Sequence, residues 1–485
     1  MDEVINLDLF IANEWRHAAT DKRFDIDNPA TGEVIGHAAL GERSDAIAAL
    51  EAANKAFPAW SRTTGDERSY FLKKAGQIIY DKREYLARII TLEQGKPLRD
   101  ALREVEASAE TLIYYGEEAR RLGGEIAPNK TKSTRSLVLR QPVGVVAAIS
   151  PWNYPVSLMA WKVGPALAAG CTLVAKPTSE TPLATGLFVA ACAEAGLPPG
   201  VVNVVTGKSS IVGEELITHP LTQMVAFTGS TEVGRHLMQV ASGTLKKLCL
   251  ELGGHTALVV FKDADLDRAV ADSVKRSFRN MGQICNAVNR IYVEKEVSGQ
   301  FIERFVAATR RLSIGDGLVQ PDVDLGPLVN AEGIERTDRQ VKDALAKGAR
   351  LLCGGRRPDR PELVHGFFYE PTAVTDVKGN MDVMCKETFG PLVAIDSFEG
   401  LDEAIERANS TDYGLVTYAY TNDISTMWNF AERMESGTVA FNTVSPDSLY
   451  APYPAWKQSG LGVELGHFGI DEYLRVKHML IEFKG

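Results

Sequence analysis

The chain has no excess of positive charge: 63 Asp and Glu outnumber 53 Lys and Arg over 485 residues, a formal net charge of -10. With a pI near 5.5 there is no basic footprint for a phosphate backbone or an anionic lipid surface, so neither nucleic acid nor membrane is expected as a partner. Cysteine is scarce too. Cys171, Cys192, Cys249, Cys285, Cys353 and Cys385 are its six copies and show no paired ligand spacing, which speaks against a zinc module and against a disulfide framework. No metal is expected, and all but one or two of these cysteines are expected to be buried thiols. Long apolar runs are missing as well. Stretches such as residues 143–150 are too short to cross a bilayer and are broken by Gly and Pro. Residues 1–8 lack the basic start and apolar segment of a secretory signal, so a cytoplasmic location is expected. There is no convincing internal repeat and no low-complexity tract.

What is present is the composition of an ordinary globular protein, 45% hydrophobic and 24% charged. At roughly 150 residues per domain, the length predicts about three domains. Residues 44–122 read as helix-rich, with Ser44 a candidate cap and residues 101–121 alternating apolar and acidic positions at helical spacing. From Val143 the text changes to short apolar runs separated by amphipathic ones: VGVVAAI, TLVAK, VVNVV, MVAFT and KLCLEL. Four strand-to-helix steps within about a hundred residues predict a mostly parallel sheet covered on both faces, which binds ligands at the carboxyl ends of its strands. HTALVVF, a helix over 266–279, RIYVEK, VAIDSF and TVAFN predict a second α/β lobe. Residues 130–141 alternate as a strand without a local hairpin partner. A matching strand could come from residues 476–483 or from another subunit.

Several residues have types and positions that suit chemistry. Cys285, in GQICN, lies at an element junction beside free backbone donors, where a thiol can be held as thiolate and attack an electrophilic carbon. Glu251 closes the strand KLCLEL before Gly253 and Gly254, so its carboxylate projects at a strand end and can serve a thiol as general base. The amide of Asn153 in SPWNYP can donate to an oxyanion. FTGSTEVG, from Phe227 to Gly234, places a helix start where its N–H groups and Ser230 can receive a pyrophosphate, and Lys176 in AKPTSE can reach a ribose or phosphate. Taken singly, each also fits a structural role: a small buried thiol, a solvated carboxylate, a turn Asn, a surface Lys.

Together, PWNYP, KPTSETPL, FTGSTEVG, ELGG, GQIC and ETFGPL stand in the order and spacing of the aldehyde dehydrogenase superfamily, which the chain resembles from about Leu9 onward. The resemblance implies two Rossmann-like α/β domains plus a small β oligomerisation domain. Its implied boundaries are 1–122 and 143–251 for the cofactor domain, 252–451 for the catalytic domain, and 123–142 with 452–485 for oligomerisation. It also implies that the unpaired strands pair between subunits of a homodimer or homotetramer.

By the same resemblance, Cys285 attacks the aldehyde, Asn153 holds the oxyanion, Glu251 activates the hydrolytic water, and Lys162 supports a proton relay. Ile149, Ser150, Trp152, Lys176, Pro177, Ser179, Gly207 and Gly213 would line the cofactor groove. So would Phe227, Thr228, Gly229, Ser230, Val233 and Leu252, while Glu387 and Phe389 would hold the nicotinamide ribose and pack beside it. Ser179 stands where many NAD-preferring members have Glu; a hydroxyl removes the repulsion of a 2′-phosphate, so NADP is the expected cofactor and NAD the alternative. KQSGLG and HFGIDEYLRVKH resemble the succinate-semialdehyde dehydrogenase branch, as do Arg279 and Ser448 as carboxylate binders. Three positions depart from it: Trp161 replaces its second arginine, Ala287 its second cysteine, and Trp456 resembles the lactaldehyde dehydrogenases. The expected reaction is oxidation of succinate semialdehyde or a related semialdehyde, with a lactaldehyde-type or broad-specificity dehydrogenase as alternative. A cysteine-dependent hydrolase is the alternative of another class, although none of the eight histidines stands in a recognisable pairing with Cys285.

Overall fold

The computed structural model describes residues 4–483; Met1–Glu3 and the last two residues, at the ends of the expected cofactor and oligomerisation domains, lie outside the described residues. Four helices, Arg43–Trp60, Gly65–Asp81, Arg83–Gln94 and Leu98–Ala119, fill the helix-rich segment. Ser44 is not the cap. Glu42 occupies that position because Asp45 reaches back to accept its backbone N–H at 2.8 Å, so the helix begins one residue before Ser44. Thr64 and Glu67 make the same reciprocal box at the second helix.

The alternating text builds two sheets. In the first, Lys247–Glu251, Thr222–Thr228, Val145–Ile149, Thr172–Lys176 and Val202–Val204 run parallel, with the antiparallel strands Gly460–Leu461 and Leu9–Ile11 at either side. Val146, Ala147, Leu173, Val174 and Val225 are fully buried, as expected when helices cover both faces. Helices Pro155–Ala169 and Pro182–Ala193 are buried almost all round, which is why they read as apolar runs with no polar stripe.

The second sheet has the order Arg350–Cys353, Thr372–Thr375, Leu392–Phe398, Val288–Glu294, Thr256–Val260, Val416–Tyr420, Thr438–Phe441. All its pairings are parallel except the first, Arg350–Cys353 with Thr372–Thr375. Two Rossmann-like α/β lobes result, each with its own apolar core.

Thr134–Pro142 pairs antiparallel with Leu474–Glu482 over nine consecutive residues and, on its other side, with Glu125–Ala127. Of the two partners expected for this strand, the returning end of the same chain is the one found. Leu474–Glu482 is left as the outer strand of that sheet, with Val476 and Leu480 exposed. No helix among the described residues is long and apolar enough to cross a membrane. All six cysteines are free. Cys171, Cys192 and Cys249 are buried as expected, whereas Cys353 is half-buried and Cys385 exposed, which corrects the expectation for those two.

Candidate active site

The carboxyl edge of the first sheet forms an ordered row. Parallel register puts Glu251 beside Thr228, Phe227 beside Ile149, and Ile149 beside Lys176. Residues far apart in sequence thus meet along the edge where such sheets bind ligands. A cavity of about 260 Å³ opens there. Its walls include Trp152, Asn153, Thr228, Gly229, Ser230, Glu251 and Leu252 from the first lobe, and Cys285, Glu387 and Phe389 from the second. Trp152 packs edge-on against Phe389, ring centroids 5.3 Å apart. Ser150, Pro177, Gly207 and Gly213 extend the edge beyond the cavity; Gly213 lies against the Lys176 side chain. Ser179 and Val233 are exposed, and the Val233 N–H donates to Ser230 Oγ, which caps the helix Thr231–Ser242.

A second cavity, of about 590 Å³, shares Asn153, Leu158 and Cys285 with the first. Trp161, Arg279 and Ser448 lie on its walls with Arg103, Arg276, Asp447 and Tyr453. Cys285 therefore stands at the junction of two clefts, one at the sheet edge and one lined by three arginines, three carboxylates (Glu104, Glu110 and Asp447) and aromatic rings. Trp456, by contrast, is exposed in a two-residue strand and lines neither.

The loop that presents Cys285 has an unusual backbone. Asn280, Met281 and Gly282 all have positive φ, 51°, 59° and 69°, a conformation that costs non-glycine residues about 1 kcal/mol or more each. Hydrogen bonds hold it: Asn280 Nδ2 donates to the Asn153 carbonyl at 3.2 Å, and Asn153 Nδ2 to the Gln283 carbonyl at 2.9 Å. A Cβ at Gly254 would come within 2.0 Å of the Cys285 carbonyl oxygen, so the bend after Glu251 can approach the nucleophile loop only as glycine.

Electrostatics decide which groups carry protons. Burial, reinforced by the Glu464 carboxylate, pushes Glu251 up to about 8, against the pull of the Cys285 thiol and Lys162. Among the described residues, neither oxygen of Glu251 has a hydrogen-bond partner other than the facing Cys285 thiol. Burial and then Glu251 itself raise the Cys285 thiol well above its ordinary value. Burial first, and the facing Glu251 second, thus disfavour the thiolate that the sequence context allows. Lys162 is fully buried, donating to Thr228 Oγ1 at 2.6 Å and to Glu464 Oε1 at 2.8 Å. Glu387 accepts from the Gly254 N–H at 2.9 Å and is pushed up to about 7 by burial. Lys176, 2% exposed, donates from Nζ to Ser209 Oγ and the Pro177 carbonyl, and burial lowers it to about 8.

Sequence reasoning missed Glu464, Arg103, Arg276, Asp447 and Arg336. Glu464 lies 302 positions from Lys162, and the cations come from helices whose polar faces look like solvated surface. The alternation of residues 101–121 was the one available signal, since it places Arg103 on one helix face.

A fold of two parallel lobes with a thiol between their clefts is that of an aldehyde dehydrogenase. The profile of the aldehyde dehydrogenase family matches residues 15–479, and the chain belongs to that family of oxidoreductases acting on the aldehyde group. It is 41% identical over 471 residues to succinate-semialdehyde dehydrogenase [NADP(+)] of Escherichia coli, covering 97% of each chain. It is also 41% identical over 472 residues to glutarate-semialdehyde dehydrogenase of Pseudomonas putida, again 97% of each. Among solved structures, betaine aldehyde dehydrogenase of Staphylococcus aureus in complex with NAD+ superposes with a TM-score of 0.96 at 36% identity, over 98% of this chain and 94% of that one. Among the described residues, no histidine lines either cavity, so neither offers Cys285 an imidazole base.

Proposed function

We propose that this chain oxidises a small carboxylate-bearing aldehyde, succinate semialdehyde or a close homologue, to the acid, with NADP+ as preferred cofactor. The observation that carries it is the second cavity, where Cys285 shares walls with Arg279, whose Nη2 lies 3.8 Å from Asp100 but whose buried Nε has no hydrogen-bond partner among the described residues. A guanidinium with an unused donor is what a substrate carboxylate requires. Arg103 adds a second cation on the same wall, where Trp161 replaces the arginine of the semialdehyde branch. The curated relatives named above act on semialdehydes. Ser448 is assigned to the substrate carboxylate with Arg279, and Trp161 to its methylene chain.

The sheet-edge cleft suits a dinucleotide. The glycine turn and helix start at Gly229 and Ser230 suit the pyrophosphate, and Glu387 and Phe389 the nicotinamide end. Lys176 has no carboxylate within salt-bridge distance and is assigned with Ser179 to the ribose or its 2′-phosphate. Ile149, Ser150, Pro177, Gly207, Gly213, Phe227, Thr228, Val233, Leu252 and Trp152 complete the groove.

In the reaction, the Cys285 thiol gives up its proton to solvent in the open cleft and the sulfur adds to the aldehyde carbon. The oxyanion formed lies between the Asn153 amide and the Cys285 N–H. When bound, the nicotinamide dinucleotide supplies the hydride acceptor. Glu251 takes a proton from the water that attacks the thioester and returns it to the departing Cys285 sulfur, releasing the acid and regenerating the thiol. Lys162 and Glu464, hydrogen-bonded to each other and close enough to act on the Glu251 charge, support that proton relay.

A second reading, a lactaldehyde-type or broad-specificity enzyme, draws on Trp161, which packs edge-on against Tyr453 with ring centroids 5.7 Å apart and makes that wall apolar. The domain division at 122/123, 142/143, 251/252 and 451/452, a homodimer or homotetramer built through the outer strand Leu474–Glu482, and a cytoplasmic location belong to the same proposal. Its test is kcat/KM for a panel of aldehydes with both cofactors. Succinate or glutarate semialdehyde with NADP+ should lead; a lead of tenfold or more for neutral aldehydes, or for NAD+, overturns that part of the proposal.

A further inference from the structure

Asn153 occupies the turn between Val145–Ile149 and the helix Pro155–Ala169. Two residues from outside that turn fix it on both sides. Lys96, 1% exposed, donates from Nζ to the Asn153 carbonyl at 2.7 Å and to Glu104 Oε2 at 2.5 Å. The other Glu104 oxygen accepts the N–H groups of Val156 and Ser157 at 3.0 and 3.2 Å, the free donors at the start of the next helix. The Lys96 ammonium also lies 3.7 Å from the Tyr154 ring centroid. Residues 153, 154, 156 and 157 are thus all held by one fully buried ion pair. Lys96 is tied in turn to the nucleophile loop, because its N–H donates to Gln94 Oε1 while Gln94 Nε2 donates to Asn280 Oδ1.

A buried ion pair is a poor device for stability alone, since apolar residues of similar volume often hold a fold as well. Its distinctive property here is direction: it presents a donor to one backbone carbonyl and an acceptor to two backbone N–H groups. We propose that Lys96 and Glu104 are positioning residues that aim the Asn153 amide at the carbon bound to Cys285. The proposal rests on reading Asn153 as the oxyanion donor. Loss of the pair lets the turn relax, and a misplacement near 1 Å at such a donor lowers a rate by up to about a hundredfold.

The test compares Lys96→Met, Glu104→Gln, the double variant Lys96→Met/Glu104→Leu, and Asn153→Ala. Readouts are the rate of the pre-steady-state burst of reduced cofactor, KM, and Tm. Lys96→Met strands a buried carboxylate and should lower Tm together with the burst. The double variant removes both charges, so its Tm should recover while its burst rate stays at least about tenfold down and KM moves less than about twofold. Added to Asn153→Ala, the double change should cost nothing further, because the pair acts through that residue.

A double variant whose burst recovers with its Tm overturns the proposal, as does an additive loss in the Asn153→Ala background. Should the double variant fail to fold, Glu104→Gln, which keeps an acceptor for the helix start, must still show a slowed burst at unchanged KM. A normal burst in Asn153→Ala overturns the oxyanion reading itself, and the positioning role with it. A normal burst in the double variant beside a slow Asn153→Ala overturns only the positioning role.

Discussion

Replacing Glu251 by Gln should separate the two demands that the site places on one carboxylate. Held at about 8 by burial and by Glu464, the wild-type group is ionised in about a tenth of molecules at pH 7 and about nine-tenths at pH 9. If it is the base for thioester hydrolysis, the deacylation rate should climb roughly tenfold across that interval. Glu251→Gln should keep a burst of reduced cofactor, turn over slowly afterwards and lose the pH step. Stability should move the other way. The folded-state value lies above the ordinary 4.5, so between pH 4.5 and about 8 the folded chain binds the extra proton and stability falls as pH rises. The full displacement corresponds to a cost on the order of 5 kcal/mol for holding the ionised group above pH 8. The Gln side chain carries no such cost. The assay is stopped-flow nicotinamide absorbance at pH 6 to 9 beside thermal melts at pH 5 and 9. The variant should melt close to wild type at pH 5 and above it at pH 9. Equal loss of burst and turnover, or a melting difference independent of pH, would refute the reasoning.

Three further outcomes follow from the geometry. Arg279→Ala removes a charge-assisted contact and should raise KM for succinate semialdehyde by about tenfold or more while leaving a neutral aldehyde of similar length within about twofold; no selective effect favours the neutral-aldehyde reading. Ser179→Glu places a carboxylate where a 2′-phosphate would lie and should lower kcat/KM for NADP+ at least about tenfold relative to NAD+, and an unchanged ratio removes Ser179 from cofactor choice. Gly254→Ala puts a methyl group against the Cys285 carbonyl oxygen, 2.0 Å from the built Cβ, and should abolish turnover by displacing the nucleophile loop; full activity contradicts that close approach.

The parts of the fold visible in the sequence were those with a local cause. Strands buried on both faces, such as Val145–Ile149 and Thr172–Lys176, had to be short continuous apolar runs, and the helices between them had to be covered. Register then carries the strand-end residues into one row, which is why Glu251, Lys176 and Asn153 could be singled out one motif at a time. What escaped depends on partners distant in sequence. Thr134–Pro142 finds its mate more than 300 residues away in the same chain; residues 476–483 could be named as a candidate, but nothing in the alternation distinguishes that pairing from one across subunits. The raised thiol of Cys285 follows from burial and Glu251 together, neither of which the surrounding GQICN encodes. Glu464, Arg103 and Lys96 have no motif of their own and acquire meaning only from what they face. The capping error at Ser44 has a smaller origin: Asp45 reaching back to Glu42 outcompetes a serine two residues further on.

The central claim is that Cys285 carries the acyl group which Glu251 releases. Its most direct test is mass spectrometry of the Glu251→Gln protein, quenched in acid after mixing with succinate semialdehyde and NADP+. A succinyl adduct on the peptide containing Cys285, absent without cofactor and absent in Glu251→Gln/Cys285→Ala, is the predicted result. An unmodified Cys285 peptide while turnover proceeds at the wild-type rate would contradict the account.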